Sequence, residues 1–274
     1  MSAAVAGRDW MVREWRDRRV IAGLRFVDAT TGGSILQPLR LAAARSEFVQ
    51  NRRGFYVLLS APGFENYTNT FDITNAVAPA ATVLNINIQD PTGQYLPRQF
   101  SLSLPRDADS DLDSVGDESL FRPVRVTLYP SAIAPTNPNW AILRTTVLNN
   151  ANQRLPWALI KTTVNTETTL TQADWRGEAL IAIPGIPIVT ASSDESSEDP
   201  STREFSADLE VVFDPALNTI AEDANFLELV DPNPGYMPNP EQLNADRRTL
   251  QTGSETLMLA SGRHRSLRLA VTLS

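Results

Sequence analysis

Five acidic residues, Asp107, Asp109, Asp111, Asp113 and Glu118, fall at positions 1, 3, 5, 7 and 12 of a twelve-residue stretch. That is the oxygen spacing with which a calcium loop surrounds a hard cation. Leu112 stands where such a loop turns on glycine, and no amphipathic helix flanks the stretch, so a solvated acidic linker is the stronger reading and a calcium site the weaker. His264 is the single histidine and lies between Arg263 and Arg265. A Ser-His-Asp arrangement would have to be built on it alone. Zinc would need carboxylates for every remaining ligand, because the chain has no cysteine. Paired carboxylates for glycoside hydrolysis must be held in a cleft, whereas these acids concentrate in Ser-rich loops. Neither GxxxxGK[ST] nor a strand-following GxGxxG occurs. The expectation is a non-enzyme with no catalytic, metal or cofactor site.

Recognition is the chemistry the residue types favour. Trp10, Met11 and Trp15 alternate with Arg8, Arg13, Arg16, Arg18 and Arg19 in the first nineteen residues, and tryptophan and arginine are the side chains most enriched at binding hot spots. The segment reads either as a short amphipathic helix on its own fold or as a docking element for a neighbouring subunit. Trp10, Met11, Arg13, Trp15 and Arg16 are the candidate interface residues there. Tyr236 and Met237 join them, since the irregular stretch 214–253 with its DPNPGYMPNP run is too long for an ordinary connection and suits an interaction arm. Trp140, Trp157 and Trp175 each adjoin a strand and read first as core, second as a sugar-stacking platform.

The elements that must position these groups are strands. Short apolar runs at 20–27, 55–60, 83–88, 100–104, 124–128, 141–148, 179–183, 205–213 and 267–273 sit between Gly, Pro, Asn and Asp clusters. Nineteen prolines suit turns and sheet edges and would break helices. At 274 residues with 42% hydrophobic content the chain can bury a core without disulfides or metals. The net charge of −8 argues against a protein built to neutralise phosphates, so no nucleic acid is expected as partner. No run reaches the roughly 20 apolar residues of a membrane span, and the charged N-terminal segment lacks the apolar core of a secretory signal. Cytoplasmic assembly without membrane insertion is the resulting expectation.

An internal repeat is visible. RGFYVLLSAPGF at 53–64 matches RGEALIAIPGIP at 176–187, the run from Gly23 matches that from Ile142, and LNINIQDP at 84–91 matches LEVVFDP at 209–215, in one order and at an offset of about 120 residues. The pattern predicts an all-β chain of two tandem immunoglobulin/transthyretin-like sandwiches. Its expected divisions are a docking segment at 1–19, a first sandwich at 20–106, an acidic linker at 107–118, and a second sandwich at 119–274 interrupted by 214–253. A second acidic run at 192–202 reads as a hairpin loop.

Asp28, Thr31 and Gly32, then Pro38, Gly54, Phe55, Pro62, Gly63 and Phe64, resemble the carboxypeptidase-regulatory-like (transthyretin-like) β-sandwich module over residues 20–68. Residues 140–188 keep Pro156, Gly177, Pro184 and Gly185 but carry LNNANQ in place of the D-x-x-T-G turn. With the stretches 122–130, 155–159 and 182–187, the chain is similar to accessory proteins of phage-tail-like contractile injection systems. The resemblance implies a structural role in a cap or baseplate accessory layer, with symmetric copies docked on tube, sheath, cap or baseplate subunits. An adhesin-like or carbohydrate-binding module gripping its ligand through tryptophan is the alternative.

Overall fold

The computed structural model describes residues 19–69, 79–108, 118–184, 204–224, 229–260 and 262–274. Two sets of sheets follow one another along the chain. The N-terminal half contains β1 (Ala22–Asp28), β2 (Arg40–Ala42), β3 (Glu47–Gln50), β4 (Tyr56–Ser60), a short helix α1 (Glu65–Asn69), β5 (Thr82–Gln89), β6 (Arg98–Leu104) and β7 (Val124–Leu128). One sheet has the order β3-β4-β1-β7, and the facing one β2-β5-β6. Alternation in sequence becomes alternation in burial: Leu84, Ile86 and Ile88 of β5 point inward while Asn85 stays exposed. They meet Leu24, Phe26, Leu58, Val126 and Leu128 of the opposite sheet in one core, each contributing about 1.5–3 kcal/mol by leaving water.

The C-terminal half repeats this plan with β8 (Ala141–Asn149), β9 (Gln153–Arg154), β10 (Leu159–Val164), β11 (Glu167–Gln172), β12 (Glu178–Ile183), β13 (Glu204–Phe213), β14 (Ile220–Ala221), α2 (Pro240–Asp246), β15 (Gln251–Ala260) and β16 (His264–Val271). β12 pairs antiparallel with β8 as β4 does with β1. β16 runs parallel to β8 as β7 runs parallel to β1. The opposing sheet, β11-β10-β13-β15, shares a core with it through Leu143, Val147, Ile181 and Leu269 on one face and Ile160, Leu209, Val211 and Leu259 on the other. The chain is thus an all-β, sandwich-type fold, and the three sequence matches occupy equivalent strands in its two halves.

The structure corrects two sequence-based expectations. The acidic stretch 107–118 does not separate the halves, because β7, beyond it, returns to β1 from Leu24↔Val124 to Asp28↔Leu128. The crossing falls at 129–140 instead. The turn at Asp90 leads into β6, and β7 is the last strand of its half. The stretch 214–253 is not irregular throughout: Asn239 caps α2 by accepting from the Gln242 N–H, with Pro240 in the first turn. Leu243 of that helix packs with Leu159 and Val212 on the outer face of the β10–β13 sheet.

One strand changes sheets between the halves. β3 pairs with β4, but β11, at the equivalent place, pairs with β10 from Leu159↔Gln172 to Val164↔Glu167. The position of the tight turn accounts for it. In the first half Asn51 accepts from the Arg53 and Phe55 N–H groups, and Gly54 takes φ 81°, closing β3 onto β4. In the second half Asn165 at φ 54° closes β10 onto β11.

Candidate functional site

The halves meet along a seam built by short polar turns. Asp28, at the end of β1, accepts from the Thr30 and Thr31 N–H groups at 2.8 and 2.7 Å and from the Tyr95 hydroxyl at 2.9 Å. The D-x-x-T-G run is therefore a structural turn, with Gly32 at φ 67°. Asn149, at the end of β8, does the same work by accepting from the Ala151 and Gln153 N–H groups, with Asn152 at φ 56°. This explains how LNNANQ replaces the motif. Burial first, then the bond to Asp28, pushes the Tyr95 hydroxyl well above its usual range. Asp90 caps a second turn by accepting from the Thr92, Gln94 and Tyr95 N–H groups.

Arg98 opens β6 with no exposed surface. Its Nη1 donates to the Thr127 carbonyl at 2.6 Å, its guanidinium lies 5.8 Å from the Tyr129 ring centroid, and its Nη2 forms an ion pair with Glu241 of α2. Burial lowers its pKa to about 10, which leaves it charged at neutral pH. Beside it the Gln99 N–H donates to the Pro238 carbonyl at 2.7 Å, and Asn239 Nδ2 donates to Ser101 Oγ at 3.2 Å. The expected interaction arm thus grips this chain's own first half. No sequence pattern announced it, since Arg98 and Glu241 stand 143 residues apart.

Where the Asp90 turn, the crossing segment and the second half converge, they leave an open cleft of about 370 Å3. Its walls come from 89–97 of the first half, Ser131–Ile133 of the crossing, and Trp157, Asp174, Trp175 and Arg176 of the second. The Ser131 N–H donates to the Gln94 carbonyl at 2.8 Å and the Leu96 N–H to the Tyr129 carbonyl at 2.9 Å, fixing the crossing to the turn. Trp157 is 4% exposed and adopts φ 61°, a left-handed conformation that is uncommon for a bulky side chain. It is held there by its N–H bond to the Asp174 carbonyl at 3.0 Å. Asp174 in turn takes both Nε and Nη2 of Arg176, at 2.9 and 2.7 Å. Burial pulls the Arg176 guanidinium down, but Asp174 and Glu178 more than restore it, so its pKa ends above the ordinary value.

Of the candidate interface residues, Trp10, Met11, Arg13, Trp15 and Arg16 lie outside the described residues, as do 109–117 and the loop 192–202. Tyr236 and Met237 are half-buried. The Tyr236 ring packs 6.4 Å from that of Trp157, and burial, with Asp214 nearby, raises its hydroxyl pKa. Trp140 packs over Ile142 and Leu180, Trp157 is core, and Trp175 is half-exposed on the cleft. His264 is exposed at the start of β16. Among the described residues no group of three or more acids or histidines could hold a metal ion, and no helix is long and apolar enough to cross a membrane.

Fold and seam together define an all-β sandwich-type protein whose two halves are joined by buried polar contacts. No protein-family model, curated protein or solved structure matches the chain.

Proposed function

We propose that the chain is a non-enzymatic structural subunit of a contractile injection system or phage-tail-like particle. In this reading it is assembled in the cytoplasm in symmetric copies, in a cap or baseplate accessory layer that docks on tube, sheath, cap or baseplate neighbours. The particle context rests on the sequence resemblance. The observation that supports the structural role is the seam: Arg98, wholly buried, ties β6 to β7 and to α2, linking the two halves of the chain. Such a joint suits a part that holds neighbours at a fixed spacing. The cleft carboxylates support the same reading, since Asp90 and Asp174 spend their oxygens on turn N–H groups and on Arg176. The Trp/Arg segment 1–19 supplies the docking contact, with arginine forks suited to bidentate pairing.

Tagged chain expressed in its native cells is expected to co-sediment with a high-mass particle containing tube and sheath proteins, and deletion of residues 1–19 to reduce its stoichiometry there at least tenfold. Recovery of the tagged chain solely as free monomer, with particles lacking it, sinks the assignment. Normal incorporation of the truncated chain removes the docking role of the segment.

A further inference from the structure

We propose that the cleft between the halves is a binding site for a neutral pyranose-containing saccharide. Small-molecule sites favour the junctions of packed units, with aromatic walls and a few polar groups, and occupy about 300–1,000 Å3; this cleft, at about 370 Å3, fits that description. Tyr95, Pro97 and Trp175 give it flat apolar surface, with the buried Trp157 beneath them. Trp175 is half-exposed, with the Arg176 guanidinium 5.9 Å from its ring centroid. An indole combines a polar handle with an apolar face on which the C–H face of a sugar ring stacks, and planar polar side chains beside it receive the hydroxyls. Both are present. The exposed carboxamide of Gln89 lies on the rim, and among the described residues Arg176 uses only Nε and Nη2 in its bonds to Asp174 and Glu178, leaving the two Nη1 donors for a guest.

The walls select among guests. An extended peptide would need open backbone partners, but the Gly93, Leu96, Ser131 and Trp157 N–H groups are already bonded to carbonyls of the seam. Of the lining residues Asp90 and Asp174 are negative and Arg176 positive, a net charge of −1, which disfavours uronic and sialic acids. The left-handed backbone of Trp157 is a further sign of a built site. Such a conformation costs about 1–3 kcal/mol, persists where its surroundings impose it, and clusters at ligand sites. Its N–H bond to Asp174 and the Gln172 side chain at 3.4 Å from its carbonyl impose it here.

The test is titration of the full chain with cellohexaose, maltohexaose and chitohexaose, and with oligogalacturonate as the acidic counterpart, followed by tryptophan fluorescence and calorimetry. At least one neutral probe is expected to bind with Kd below about 1 mM. Trp175→Ala should weaken that binding at least tenfold with an unchanged melting temperature, and Gln89→Ala should weaken it less. Trp140→Phe, which packs on Ile142 and Leu180 and does not line the cleft, should leave it unaltered. No neutral binding up to 10 mM, binding by oligogalacturonate alone, or neutral binding that survives Trp175→Ala overturns the proposal. Particle incorporation of Trp175→Ala is scored separately, so failure of the saccharide site and failure of the structural role give different results.

Discussion

Aspartates at strand ends determine how this chain turns, and Tyr95 links two of them. Its hydroxyl donates to Asp28 while its backbone N–H donates to Asp90, so one residue joins the turn after β1 to the turn before β6. A hydrogen bond to a charged acceptor contributes about 1.5–3 kcal/mol net, and Tyr95→Phe is expected to lower the unfolding free energy by that amount at pH 7. The pH dependence has a definite sign. The folded-state pKa of Tyr95 is raised above its unfolded value near 10, so the contribution is complete below that value and is lost as pH climbs through the folded one. Urea titrations of both proteins should show the gap between them narrowing above about pH 10. A gap that stays constant up to pH 11.5 would contradict the role given to this hydroxyl.

At the level of elements, strands with strong apolar alternation were legible in the sequence, and those defined by pairing alone were not. Leu84, Ile86 and Ile88 mark β5 by their spacing, whereas Thr168, Thr169 and Thr171 of β11 carry no apolar period and become a strand through the Asn165 turn that closes β10 onto it. The repeat was readable from paired Pro-Gly turns, but its boundary was misplaced, because nothing local in Val124–Leu128 shows that it returns to β1. The cleft was equally hidden: Trp175 was visible as a residue, but its company with Gln89 and Tyr95 arises from packing between halves. Helix α2 was masked by the prolines around it, although Asn239 and Pro240 form a readable start signal. Leu243 fastens this helix to Leu159 and Val212, so Leu243→Ala should cost about 2–3 kcal/mol by leaving a cavity. Hydrogen exchange should show faster turnover at the Leu243 amide and also at Gln99, whose N–H is bonded to the Pro238 carbonyl just before the helix. Unchanged exchange at Gln99 would mean that the helix does not hold the seam.

For the molecule as a whole, the question is whether its two halves behave as one body. The two cores are separate clusters, one built on Leu24, Phe26 and Ile86 and the other on Leu143, Leu209 and Val211, so cooperativity between them must pass through the seam. Arg98 is its centre. Removing it deletes the bond to the Thr127 carbonyl, the ion pair with Glu241 and the packing on Tyr129 together. Arg98→Met keeps much of the volume while losing the charge, which separates the linkage from a simple cavity. Glu241 is half-exposed, so water compensates for its loss, and Glu241→Gln should cost only about 1 kcal/mol, as partly exposed pairs do. We expect the wild-type chain to melt in one calorimetric transition and Arg98→Met to melt in two, the first several degrees lower, since about 1 kcal/mol moves the midpoint by roughly 4–8 °C for a domain of about 60–100 residues and by roughly 2–4 °C for one of about 150–250, and each half falls between these sizes. The absence of cysteine makes a second readout direct. Spin labels placed through Arg52→Cys and Glu255→Cys, exposed positions in opposite halves, should give one narrow distance in the wild-type background and a broad distribution with Arg98→Met. A single transition within 1 °C of wild type, together with an unbroadened distance, would show that the two halves hold together without Arg98 and would remove the observation on which the structural role rests.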